Sequence, residues 1–182
     1  MIRTIGLLEL NSIAKGIEVA DSMIKAAEVK LIKANSICPG KYIVLISGDV
    51  GAVKASVEAG LEIGREFVVD KLVLPSVHPQ LISAINGTTF VSELNSLGVL
   101  EFFSIATSIV AADAAAKAAT VELIDIRLGF AIGGKAFVTL TGDVSAVKEA
   151  IETGARVAED TGMLVNKVVI PSPRKELFKE LL

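Results

Sequence analysis

The chain is written twice, and that constrains its fold more than any other feature. IGLLELNSIAKGIEVADSMIKAAEVKLI, from Ile5 to Ile32, lies over LGVLEFFSIATSIVAADAAAKAATVELI, from Leu97 to Ile124. Gly6 recurs as Gly98, Glu9 as Glu101, Ser12 as Ser104, Asp21 as Asp113 and Lys25 as Lys117, all at one offset. GDVGAVK from Gly48 returns as GDVSAVK from Gly142, and DKLVLPS from Asp70 as NKVVIPS from Asn166. An internal repeat must be recognised before elements are assigned, because each copy is a folding unit. The 182 residues are therefore expected to form two like domains, 1–91 and 92–182, with NGTTFVSELNS as the linker between them.

Both copies carry the same signals. Arg3 to Leu10 reads as a short apolar strand. Ser12 is placed to cap a helix whose Ile13, Ile17, Ala20, Ile24 and Ala27 recur at spacings of four and three. Val29 to Ile37 and Lys41 to Ser47 are rich in β-branched residues and form a predicted hairpin around Cys-Pro-Gly. Asp49 is the expected cap of a second helix with Val50, Val53 and Val57 on one face, and Leu72 to Leu74 is a last strand ended by Pro75. The order β-α-β-β-α-β is the split, ferredoxin-like arrangement with an antiparallel sheet, so the fold class is α+β, an α/β sandwich repeated in tandem. Many functions share that architecture, and it names none of them.

Composition narrows the partners. Fully 52% of residues are hydrophobic and only 21% charged, more apolar than an ordinary domain. Apolar surface of that extent must be buried in a core or against other copies. A net charge of -3 and 4% aromatic residues offer neither a basic field nor stacking platforms, which argues against nucleic acid. MIRTIGLLELNS lacks an apolar core of signal-peptide length, and the most apolar later stretch is interrupted by Glu101 and Asp113. No membrane association is expected, and the protein reads as soluble and cytoplasmic. One cysteine excludes an internal disulfide, and Asn86-Gly-Thr reads as a chance sequon.

Several motifs fail on chemical grounds. GFAIGGKA, from Gly129 to Ala136, nearly spells a phosphate loop, but Ala136 stands where a hydroxyl is needed and a strand follows instead of a helix. Asp49 and Asp143 would repel an anion from the two Gly-Asp-Val turns. His78, the only histidine, has no companion ligand and reads as a surface residue between Pro75 and Pro79. Glu9 and Glu101 recur in both copies, which favours a fold or interface role over acid/base work. No catalytic residue is assigned, and the chain is not expected to be an enzyme.

Gly6 to Glu9 as GLLE, Ala20-Asp21 with Lys25-Ala26-Ala27, Gly48-Asp49-Val50 with Ala52-Val53, and the closing VLPS and VIPSP are similar to bacterial microcompartment shell domains. Both copies match, so the resemblance covers nearly the whole chain. Within that family, Ser36-Ile37-Cys38-Pro39-Gly40 most resembles the tandem, trimer-forming type found in propanediol-utilisation compartments. The resemblance implies a structural shell protein whose homotrimer is a pseudo-hexamer and meets other shell proteins at its tile edges, in the bacterial cytoplasm. It also implies that Ser36 to Gly40 form a pore loop, and that three Cys38 thiolates hold one [4Fe-4S] cluster per trimer at the central pore. Electron transfer across the shell, with encapsulated redox enzymes as partners, or cluster delivery would then be its task. Lys25 and Lys117 match the family's tile-edge lysine, though as residues alone they read as solvated helix lysines. Ser76 and Ser172 stand where the family usually has an edge arginine.

Other readings of the same residues stay open. Cys38 taken alone is a small free thiol in a turn. A metal-free metabolite pore and a ligand-sensing ferredoxin-like regulatory module both suit the sequence. Propanediol, ethanolamine and ethanol compartments would need similar tiles.

Overall fold

The computed structural model describes residues 4–91 and 93–177. Arg3, the expected first strand residue, and Ser92 in the linker lie outside them. The chain divides into two compact units, Met1–Val77 and His78–Leu182.

The first unit runs β1 (Thr4–Leu10), α1 (Ile13–Ala26), β2 (Lys30–Ile37), β3 (Lys41–Gly48), α2 (Val50–Gly64), a 3-10 turn over Arg65–Phe67, and β4 (Val68–Pro75). The second opens with a short α3 (Leu81–Ile85). It then repeats the order as β5 (Ser96–Phe102), α4 (Ile105–Ala118), β6 (Val121–Leu128), β7 (Ala136–Gly142), α5 (Val144–Arg156) and β8 (Leu164–Pro171). The sheets are ordered β2-β3-β1-β4 and β6-β7-β5-β8, and every pairing is antiparallel. Even the irregularities recur. β1 shifts register at Glu9/Leu10 and β5 at Glu101/Phe102, while β2 shifts at Leu31/Lys33 and β6 at Leu123/Asp125. Bulges kept at matching positions in both copies are part of the design of the sheet.

The core of the first unit lies between its sheet and its two helices, built from Leu8, Leu10, Val19, Met23, Tyr42 and Val44 with their neighbours. Gly16 brings α1 close to the sheet, since a Cβ there would sit 2.5 Å from the Tyr42 ring. The second copy solves the same contact in reverse. Ser108 stands in place of Gly16 and Ala136 in place of Tyr42, both fully buried. Small against large has become medium against small, which suits a core packed to crystal-like density.

The helix signals held only in part. Ser12 Oγ accepts from Lys15 N at 3.3 Å, and Ser104 Oγ from Thr107 N at 3.0 Å, so both serines cap as expected. Asp49 and Asp143 occupy the cap positions of α2 and α5, but their carboxylates make no cap bond. Their backbone carbonyls instead accept from Val53 and Val147. The apolar spacing of α1 does not trace its buried face, which shares only Ala20 with the spaced set. Gly16, Val19, Ala20 and Met23 are the buried residues, whereas Ile13, Ile17 and Ile24 are 42%, 56% and 41% exposed. α1 has two apolar arcs side by side, and the one with the larger side chains is not the one that packs on the sheet. On α2, Val53 and Val57 are buried as expected, but Val50 is exposed.

The sequence put the domain division at 91/92, whereas the compact units meet between Val77 and His78. The reason is local: His78 N donates to Asp113 Oδ1 at 2.7 Å, Leu123 N donates to Gln80 Oε1 at 3.0 Å, and α3 packs on β6 and α4. His78 is half-buried, not a surface residue.

Candidate functional site

The β2–β3 hairpin presents Ser36 to Gly40. Ile37 is buried and anchors the turn, and Gly40 N donates to the Ile37 carbonyl at 3.0 Å to close it. Gly40 has φ of +89° with open space around its Cα, a conformation that glycine adopts without steric cost. The Cys38–Pro39 peptide is cis. Asn35 Nδ2 donates to the Ser36 carbonyl at 3.0 Å, bracing the strand end. Between these anchors Cys38 is a free thiol of intermediate exposure.

The lysine after the turn is held away from free solvent by a carboxylate. Lys41 Nζ donates to Glu9 Oε1 at 2.7 Å, and the Glu9 side chain is only 5% exposed. In the second copy Lys135 pairs with Glu101 in the same way. The recurring glutamates thus neutralise the lysines that end each hairpin loop, a structural use in line with their recurrence in both copies. It also ties both lysine charges to carboxylates, so neither is a free cation for the turn.

The second loop has another shape. Between β6 and β7, Gly129, Ala131, Gly133 and Gly134 all have positive φ, and Gly129 N donates to the Lys135 carbonyl at 3.0 Å. Phe130, 71% exposed, is the most prominent side chain there. Residues equivalent in the repeat therefore build two chemically unlike loops, one offering a sulfur and the other an aromatic ring.

Lys25 and Lys117 sit in the last turns of α1 and α4, each 2.5 Å from the aspartate one turn back, Asp21 and Asp113. The settings differ. The Asp21 side chain is 63% exposed, and that of Asp113 only 6%. Ser76 and Ser172, which directly follow β4 and β8, share a left-handed backbone with φ of 54° and 48°.

Among the described residues no group of three or more His, Cys, Asp or Glu could hold a metal ion, and the chain's one cysteine offers a single thiol. No helix among them is long and apolar enough to cross a membrane. The groove of the first unit formed by Lys15, Glu18, Glu62, Arg65 and Phe67 is open and charged, unlike the enclosed apolar sites that hold small ligands. Spacing marks Ile13, Ile17 and Ile24 as an apolar set but not as an exposed one, which the structure shows them to be.

The BMC domain family matches residues 4–77 and again 96–173. The chain is 40% identical over 182 residues to the bacterial microcompartment shell protein PduT of Citrobacter freundii, covering 100% of this chain and 99% of that one. Identity to the bacterial microcompartment shell protein PduA of Citrobacter freundii is 41% over 76 residues, 41% of this chain and 82% of that one. A crystal structure of a microcompartment protein from Desulfitobacterium hafniense DCB superposes with a TM-score of 0.94 at 54% identity, covering 98% of this chain and 99% of that one. The chain therefore belongs to the BMC-domain family, as a structural shell protein of a bacterial microcompartment with two domains in tandem.

Proposed function

We propose that the protein works as a homotrimeric, pseudo-hexagonal tile of the shell in the bacterial cytoplasm, and that Cys38 of three copies meets at the central pore to bind one [4Fe-4S] cluster. The observation that carries this reading is the braced, part-exposed Cys38 turn, whose counterpart in the second copy has diverged to Gly129–Lys135. One chain supplies one thiolate, so the donor set fits a four-iron cluster only when a threefold axis multiplies it. A cluster of this kind supplies one-electron transfer when bound. The chain's own residues hold the sulfur in place: Ile37 anchors the turn and Gly40 closes it. The Lys41–Glu9 pair fixes the start of β3. Electron passage across the shell, or cluster delivery to enclosed redox enzymes, follows as the task, with no substrate turned over. Lys25 and Lys117 lie at the tile edge and meet other shell proteins there. Enclosure of a propanediol-type pathway fits the PduT relationship.

The test is iron and acid-labile sulfide content, with visible absorption and EPR, on protein purified without oxygen beside its Cys38→Ser variant. About one four-iron cluster per three chains, lost in the variant, is the expected result. Iron-free protein that still assembles after reconstitution would leave Cys38 as a pore-lining thiol and the tile as a metabolite pore.

A further inference from the structure

The repeat makes the second unit a template for what the first one lacks. Ile105, Ile109 and Leu123 are 1%, 0% and 0% exposed in the second unit. Their equivalents in the first unit, Ile13, Ile17 and Leu31, are 42%, 56% and 39% exposed. The whole strand follows suit: β6 is mostly buried, while β2, with the same place at the sheet edge, has its first two residues exposed and its middle half-buried.

Part of the cover in the second unit is a segment that follows the end of β4 in sequence. His78 N donates to Asp113, Gln80 Oε1 accepts from the Leu123 amide, and Leu81 is buried where α3 packs on β6 and α4. The same segment follows β8. Counting on from the matching Pro-Ser pairs, Arg174, Glu176 and Leu177 stand where His78, Gln80 and Leu81 stand. The chain leaves both strands through a left-handed serine, and Leu177 N donates to the Arg174 carbonyl at 3.0 Å just as Leu81 N donates to the His78 carbonyl at 3.0 Å. Yet Leu177 is 39% exposed, against 0% for Leu81. A docking segment and a matching empty face are therefore both present, at opposite ends of the chain.

From this we infer that the segment beginning at Arg174 of one copy docks on the α1–β2 face of the next, as residues 78–85 cover α4 and β6. Leu177 covers the apolar stripe of Ile13 and Ile17. Glu176 takes the Leu31 amide on the edge of the first sheet. The amide of Arg174 donates to Asp21 Oδ1, which takes no hydrogen bond among the described residues. The cationic Arg174 side chain adds to the charge around Asp21, whose side chain is 63% exposed and whose other oxygen, Oδ2, pairs with Lys25. The contact is heterologous, one surface on each side, so it propagates head to tail and closes into a ring when the rotation allows. This interface rests on the trimer reading and supplies its specific surfaces.

The experiment places Leu31→Cys and Glu176→Cys together in a Cys38→Ser background and treats the assembled protein with a short bis-maleimide. On a denaturing gel the expected result is loss of most monomer to a covalent species of three chains, with dimer as the intermediate. Neither single-cysteine variant should go beyond a trace of dimer. Native mass spectrometry of the same untreated variants separates the possible failures. Assembled protein that stays monomeric on the denaturing gel overturns the docking assignment while the assembly stands. A ladder running well past three chains overturns ring closure. Monomers of the unsubstituted protein in native mass spectrometry overturn the trimer reading itself, and the interface with it.

Discussion

Placing the same charge on matching positions of the two helices, as Ile17→Asp and Ile109→Asp, should have opposite consequences. Ile109 is fully buried. Its replacement loses a buried aliphatic side chain and puts a carboxylate in the core, a cost of about 4 kcal/mol or more, enough to unfold many domains. Ile17 is 56% exposed, so in an isolated chain the charge meets water and the fold should hold to within about 0.5 kcal/mol. In an assembly that covers α1 the sum changes. Burying the exposed part of Ile17 is worth about 1 to 1.5 kcal/mol per contact, and a carboxylate trapped there adds about 2 kcal/mol of penalty. Three such contacts in a ring make about 10 kcal/mol against the trimer. Far-UV circular dichroism with sedimentation velocity reads both effects. Ile17→Asp should keep its spectrum and sediment as a monomer, while Ile109→Asp should lose its spectrum or its solubility. An Ile17→Asp protein that sediments like the parent would refute the idea that the exposed stripe is an interface, and one that unfolds would refute its exposure.

The reversed packing between copies predicts coupling. Gly16→Ser should clash with Tyr42 and Tyr42→Ala should leave a cavity, each costing about 3 kcal/mol, but the double variant imitates Ser108 and Ala136 and should fall short of the sum by about 2 kcal/mol in thermal unfolding at fixed protein concentration. Additive losses would mean the copies settled these contacts independently. Lys41→Met leaves Glu9 buried without its cation and should lower stability by about 2 to 3 kcal/mol, whereas Lys25→Met breaks a pair exposed on both sides and should cost less than about 0.5 kcal/mol in the same assay. Ser12→Ala should cost about 1 kcal/mol of helix capping, and Asp49→Ala less than half of that, because the Asp49 carboxylate makes no cap bond. Equal losses at the two caps would contradict the geometry.

The duplicated architecture was legible because its signals are local. The serine caps, the turn at Cys-Pro-Gly and the prolines closing β4 and β8 each act within a few residues, and a repeat states them twice. The buried face of α1 is not legible from spacing, for a physical reason. Helical periodicity reports an apolar arc but not what covers it, and Ile13, Ile17 and Ile24 outweigh the small Gly16 and Ala20 that let the helix approach the sheet. The division at Val77 was missed because the contacts that draw residues 78–85 to the second unit include two backbone amides and one glutamine side chain, none visible as a pattern. Of the candidate site, the chain displays the turn and its anchors. On the proposed reading the remaining sulfurs would come from other copies, and no single sequence writes out its symmetry.

Native mass spectrometry under oxygen-free conditions reads subunit number and bound inorganic mass in one spectrum, and so tests trimer and cluster together. The expected spectrum shows a species of three chains carrying the mass of one four-iron, four-sulfide cluster, and a bare species of three chains for Cys38→Ser. Three unsubstituted chains with no added mass after reconstitution, or a cluster that persists in Cys38→Ser, would contradict it.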